Sequence, residues 1–166
     1  MGDIIVGVDG SDGSRAALRW AARTSAARGA GLRAVTAWQY PANAVTPAGP
    51  ARLPGPEEMD ERTCDEVRAV VREELAAAAR PGTDMLVVGA RGLGGFAGLL
   101  LGSVSQECVE HSPCPVVVLR GDPETMDGPI VIGLDGSEGS IRALEWAIDL
   151  AEATGVPIVA VHAPII

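Results

Sequence analysis

Lysine is absent from this 166-residue chain, and all 13 basic residues are arginines. A Walker-type phosphate loop sets a lysine against the phosphates, and a pyridoxal enzyme needs one for its Schiff base, so both classes are excluded. No apolar run approaches the roughly 18 residues of a bilayer span. The opening MGDIIVGVDG carries an acid at Asp3 and has no basic leader region, so a cytoplasmic location is expected. The three cysteines, Cys64, Cys108 and Cys114, show neither CxxC spacing nor an even count. They read as small buried hydrophobes, not as a disulfide framework or a zinc site. His111 and His162 are not placed as a dyad, and no nucleophile and base pair stands out. Binding is therefore favoured over turnover.

Acids outnumber arginines by 22 to 13, and the net charge of -9 argues against nucleic acid or an anionic membrane as the main partner. It leaves room for a nucleotide held by backbone donors. A hydrophobic content of 47% excludes a disordered chain, and the length suits one domain, or one domain and a fragment.

Short apolar runs alternate with helical patterns, which predicts parallel α/β structure. DIIVGVD (3–9) reads as a buried strand. Residues 13–28 put Ala17, Trp20, Ala21 and Thr24 on one helical stripe that ends at Gly29 and Gly31. LRAVTAW (32–38) reads as a second strand, and the five prolines of 39–56 mark a surface loop. Residues 57–80 suit a long helix with Met59, Thr63, Val67, Val70, Val71 and Leu75 inward and an acidic outer face. DMLVVG (84–89) and CPVVVLRG (114–121) supply two more strands.

The chain then repeats itself. A shift of 126 positions lays Asp135 on Asp9, Ser137 on Ser11, Trp146 on Trp20 and Ala163 on Ala37. Agreement in register across strand, loop, helix and strand indicates a duplication.

Between the third strand and the next helix lies GARGLGGFAGLLLGS (89–103). Glycine at this density weakens ordinary structure, so something must offset it. Three templates compete. Gly92, Gly94 and Ala97 satisfy G-x-G-x-x-A, but they follow an internal strand and lack an acidic partner after the next one. A bland flexible loop is a second reading. The third uses the whole spacing: Gly89, two residues, Gly92, nine residues, then Gly102 and Ser103.

That G-x2-G-x9-G-S spacing, with the strand ending in Asp9, the DGSDGS loop, VVGARG, LLLGSVSQ and SPCPVVVLR in order, resembles the ATP-binding subgroup of the universal stress protein family. The resemblance implies an open parallel sheet with helices on both faces, the Rossmann-like fold of the adenine nucleotide alpha hydrolases. It implies ATP and Mg2+ as ligands and a nucleotide-dependent sensor or regulator in the stress response. Gly89 and Gly92 would bring backbone close to the phosphates, while Gly102, Ser103 and Val104 open a helix whose free N–H groups attract anions. Three or four charge-assisted bonds of roughly 1.5–3 kcal/mol each would supply micromolar binding, about -8 kcal/mol, after ordering costs. By position, Asp9 matches the acid near ribose and metal, Gly7 and Val8 line the same strand end, and Ala37 matches the backbone contact to adenine. A capping role is the alternative for Asp9. Arg91 would screen phosphate charge or pair with a surface acid, and Ser105 would add a hydroxyl to the phosphates or face solvent. A magnesium-dependent ATP hydrolase and a scaffold without ligand are the competing functions.

Against the family's strand order 3-2-1-4-5, the third strand and its helix are missing, which leaves one sheet edge uncovered. The expected organisation is a unit over 1–122, a linker over 123–128 and a partial strand-helix-strand repeat over 129–166, a shortened tandem form. Too small to fold alone, the repeat is expected to dock on a sheet edge of its own or a partner chain, beside LRAVTAW or at PVVVL (115–119), where the family dimerises. A homodimer follows as the expected assembly.

Overall fold

The computed structural model describes residues 2–36, 82–92, 100–125 and 128–162, with the backbone of 45–46 and 49–50. The first apolar run forms β1 (Asp3–Gly7), followed by α1 (Asp12–Arg28) and β2 (Leu32–Val35). Two short strands, β3 (Val45–Thr46) and β4 (Gly49–Pro50), pair antiparallel within the proline-rich stretch that reads as a loop in the sequence. Then come β5 (Thr83–Gly89), α2 (Ser103–His111), β6 (Val116–Leu119), a 3-10 turn (Pro123–Thr125), β7 (Ile130–Leu134), α3 (Glu138–Thr154) and β8 (Ile158–His162). The helix expected over 57–80 and the site position Ala37 lie outside the described residues. Among the described residues no helix is long and apolar enough to cross a membrane.

The main sheet is parallel, in the order β2-β1-β5-β6. Alternation along its strands sends side chains to two separate cores. Ile4 and Val6 of β1, Met85 and Val87 of β5 and Leu119 of β6 meet Ala17 and Ala21 of α1 on one face. Ile5, Leu86 and Val88 meet Cys108 of α2 on the other. Helices thus cover both faces, as expected of this fold class. Among the described residues β2 stands at one edge, with Leu32, Arg33 and Ala34 exposed.

Both ends of α1 are fixed by local chemistry. Ser11 caps its start, accepting from Ser14 N at 3.1 Å, and Gly29 ends it in the left-handed region at φ 63°. In the last turn Arg28 Nε lies 2.9 Å from Asp84 Oδ2, with only 6% and 18% of the two side chains exposed. The contact is one of charge with charge and lacks hydrogen-bond alignment, since neither atom finds a hydrogen-bond partner.

The segment 130–162 has the same local geometry as 4–35. α3 has the length of α1, 17 residues, and is capped by Ser137, which accepts from Ser140 N at 3.1 Å. It ends at Gly155 with φ 72°. β7 pairs with β8 as β1 pairs with β2: Ile130 faces Ile158 as Ile4 faces Leu32, and Gly133 faces Val161 as Gly7 faces Val35.

Among the described residues the repeat does not dock on a strand edge of its own chain, which corrects the own-chain half of the expectation. β7 and β8 form a separate sheet, and the contact is α3 against α1. Trp146 of α3 packs against the first core, and Ala147 and Leu150 are buried. Arg19 and Arg23 of α1 form ion pairs with Asp122 and Glu124, tying the 3-10 turn to the same helix.

Candidate functional site

In an open parallel sheet, ligands bind beyond the carboxyl ends of the strands where the winding reverses. Here β1 leads outward to β2 on one side, while β5 leads to β6 on the other, so the reversal falls between β1 and β5. The loops after these two strands carry Asp9 and the glycine stretch.

The turn after β1 is built by its own hydrogen bonds. Asp9 Oδ1 accepts from Ser11 N at 2.9 Å and from Ser11 Oγ at 2.6 Å. This orients the carboxylate while Gly10, at φ 84°, turns the chain into α1. The other oxygen, Oδ2, faces Gly92, where any side-chain carbon would overlap it. Gly7 and Val8 are half-buried at the end of β1, and Val8 N donates to Val35 O at 2.9 Å. Asp9 is not itself the cap of α1, which corrects that alternative: Ser11 caps the helix, and Asp9 Oδ1 holds Ser11 while Oδ2 faces Gly92.

The loop after β5 is tied to the start of α2. Gly102 N donates to Ala90 O at 2.7 Å, and Gln106 N donates to Gly102 O at 3.0 Å. Gly102 stands at the N-cap without any side-chain cap, and no acid occupies the first turn. α1 and α3 differ in both respects, with serine caps and with Asp12 and Glu138 in their first turns. The first-turn N–H groups of Ser103, Val104 and Ser105 have no acceptor within the helix, and Ser103 and Val104 are exposed. Among the described residues no side-chain cap or first-turn acid meets the positive end of this helix dipole.

Two sequence-predicted residues have a different setting from the one expected. Ser105 is buried, 2% exposed, and its hydroxyl faces Ala90 O at 3.1 Å and Gly102 O at 2.9 Å. Neither the solvent nor a phosphate is its partner in this arrangement; it fastens the loop to α2. Gly89 faces α1: a Cβ there would lie 2.6 Å from Gly13 C and 2.9 Å from Ser14 N. Its lack of a side chain serves close packing of helix on strand. Gly13, which the sequence reading passed over, is the other half of that contact, and only the repeated DGSxGS pattern pointed toward it. Arg91 is half-buried beside it.

A magnesium ion suits this donor set. Mg2+ is commonly held by one or two carboxylates together with substrate phosphates, and Asp9 supplies one oriented carboxylate beside the loop. Among the described residues no group of three or more His, Cys, Asp or Glu is arranged to hold a metal. The two histidines are apart: His111 Nδ1 lies 3.4 Å from Glu107, and His162 Nδ1 lies 2.8 Å from Leu134 O.

The second repeat copies the aspartate turn. Ser137 N donates to Asp135 Oδ1 at 2.9 Å. Hydrogen bonds from the Ser137 side chain, then from its backbone, with help from Ser140, hold the Asp135 carboxyl down at about 2, against an ordinary 3.8. A depressed carboxyl stabilises the fold above its unfolded value, and that contribution fades as pH falls from 3.8 toward 2. Carboxyl carbon NMR is expected to give a midpoint near 2 for Asp135, moving toward 3.8 in Ser137→Ala; an unmoved midpoint would remove Ser137 as the cause.

The sequence profile of the Universal stress protein family matches residues 1–82, 60–120 and 126–164. A universal stress protein of Mycolicibacterium smegmatis is 34% identical over 187 aligned positions, which cover 96% of this chain. The chain spans 63% of that relative's length. Among solved structures, a universal stress protein from Archaeoglobus fulgidus aligns with a TM-score of 0.57 at 18% identity, over 97% of this chain and 65% of its own. Another, a universal stress protein in complex with cAMP, aligns with a TM-score of 0.47 at 25% identity, over 72% of this chain and 97% of its own.

Proposed function

This chain belongs to the universal stress protein family, and we propose that it is an ATP-binding member that acts as a nucleotide-dependent regulator in the stress response. The observation that carries the reading is the meeting of Asp9 with Gly92 beside an uncapped helix start. Such a site offers an oriented carboxylate on one side and backbone donors on the other, with no lysine required.

In this reading the first-turn N–H groups of α2 and the Ser103 hydroxyl receive the phosphates. Asp9 holds Mg2+ against them, and the end of β1 at Gly7 and Val8 borders the ribose. Ala37 is proposed for the adenine. Bound Mg2+ would neutralise phosphate charge that the acidic protein would otherwise repel. Arg91 adds positive charge to the loop, and Ser105 keeps the loop in place. The family's homodimer is proposed through β6, which among the described residues has an open outer edge. The 1–122 and 129–166 division is retained as the proposed domain organisation.

The test is calorimetric titration of the protein with ATP, with and without Mg2+. Asp9→Ala is expected to cost Mg-ATP about tenfold in affinity and metal-free ATP less than about threefold, or roughly 1.4 against 0.6 kcal/mol. Equal losses would remove the metal from Asp9, and no heat of binding in the wild type would remove the nucleotide. Steady formation of ADP would move the reading to the hydrolase.

A further inference from the structure

We propose that Gly13 is a positioning residue for the phosphate loop, acting from the first turn of α1 through backbone contact and not by touching the ligand. The inference rests on the nucleotide reading above. A Cβ at Gly13 would lie 2.6 Å from Arg91 O and 3.7 Å from Gly89 Cα. Seen from the other side, a Cβ at Gly89 would lie 2.6 Å from Gly13 C and 2.8 Å from Gly13 O. Two backbones therefore meet with no side chain between them, and the missing atoms belong to both partners.

The duplicated half supplies an internal comparison. Gly139 has the place in α3 that Gly13 has in α1, after the same serine cap. A Cβ at Gly139 would find only Ser137 Oγ, at 3.6 Å, an ordinary contact. The crowding at Gly13 thus comes from the loop after β5 and not from the helix start. Glycine in a helix is otherwise unfavourable relative to alanine, so Gly13→Ala would help the helix while disturbing the loop.

The consequence for the site follows from what holds residues 89–92. α2 grips them through Gly102 N and the Ser105 hydroxyl, both directed at Ala90 O. α1 meets them through Gly13. Because these supports lie on different elements, the position of Gly92 against Asp9 depends on both. A methyl group at residue 13 pushes the Arg91 carbonyl outward and takes Gly92 away from the Asp9 carboxylate. The phosphate donors and the metal-holding acid then no longer face the same ligand.

The experiment compares wild type, Gly13→Ala, Gly89→Ala and Gly139→Ala, with folding checked by circular dichroism. Mg-ATP affinity is expected to fall about tenfold or more in Gly13→Ala and Gly89→Ala and to stay within about twofold in Gly139→Ala. Adenosine, which lacks phosphates, is expected to bind all four proteins alike. Amide hydrogen exchange adds a readout that needs no ligand: Gly92 and Gly102 shift, and Gly102 exchanges faster, in the first two variants only. Unchanged Mg-ATP affinity in Gly13→Ala, with the wild type binding, overturns the proposal and leaves the nucleotide reading standing. Equal losses for adenosine and ATP overturn it in favour of general damage. A wild type that binds no ATP removes the nucleotide reading, and the amides then decide whether Gly13 positions the loop: unmoved Gly92 and Gly102 resonances overturn it.

Discussion

Gly92→Val is expected to weaken Mg-ATP binding by about thirtyfold or more, roughly 2 kcal/mol. Its Cβ would occupy the space of Asp9 Oδ2. The carboxylate is not free to swing aside, because Oδ1 is held by both the N–H and the hydroxyl of Ser11. Either those two bonds are lost or the loop moves outward, and both outcomes separate the acid from the phosphate donors. Stability should change much less, since Asp9 and Gly92 are exposed. Gly102→Ala makes the contrast. Its Cβ would lie 3.5 Å from Ala90 O and Arg91 Cα, an ordinary contact, on an extended backbone at φ -79°. Affinity within about threefold of wild type is expected there. Calorimetric titration of both variants checks the ordering, and a Gly92 variant that binds like wild type would mean that the ligand does not sit between Asp9 and the loop.

The second large effect falls far from the site. Asp84→Ala is expected to destabilise the protein by about 3–5 kcal/mol, because it leaves the Arg28 guanidinium enclosed without its counter-charge. For a chain of this size that corresponds to a loss of roughly 6–20 °C in melting temperature. Replacing both partners, as Arg28→Met with Asp84→Leu, is expected to recover most of the loss, since well-packed apolar groups substitute for a buried pair at little cost. Thermal unfolding of Arg28→Met, Asp84→Leu and the double variant forms the cycle, with Asp84→Ala measured beside it. A single Asp84→Ala change of under about 1 kcal/mol would mean that water reaches Arg28 in solution.

Much of the fold was legible because its signals are local. The alternation in DIIVG and DMLVVG fixes which side chains reach each face of the sheet, and Ala17, Ala21 and Thr24 of the predicted stripe are buried. Trp20 is only partly so, packed at the margin of the core. The likeness of α3 to α1 was legible because cap, helix and tryptophan recur in register. The close packing at Gly89 was not, since the backbone it meets lies in α1, 76 positions earlier. The burial of Ser105 was hidden for a similar reason: on helical spacing alone a serine one turn from the helix start suits solvent or ligand equally well, and its setting depends on a loop carbonyl. The contact of α3 with α1 was not legible, because strand composition advertises an open edge, whereas the buried positions Ala147 and Leu150 become evident only when α1 is placed beside α3.

The helix-to-helix seam between the copies has a consequence for how this architecture tolerates change. Since α1 and α3 make the junction, neither sheet lends an edge to the other, and among the described residues β7 and β8 stand as a separate ladder. Strands joined to that ladder lengthen the second sheet without moving a hydrogen bond in the first. A change in the number of strands beside β7 and β8 therefore leaves the register of β1 and β5, and with it the Asp9 turn and the glycine loop, where it is.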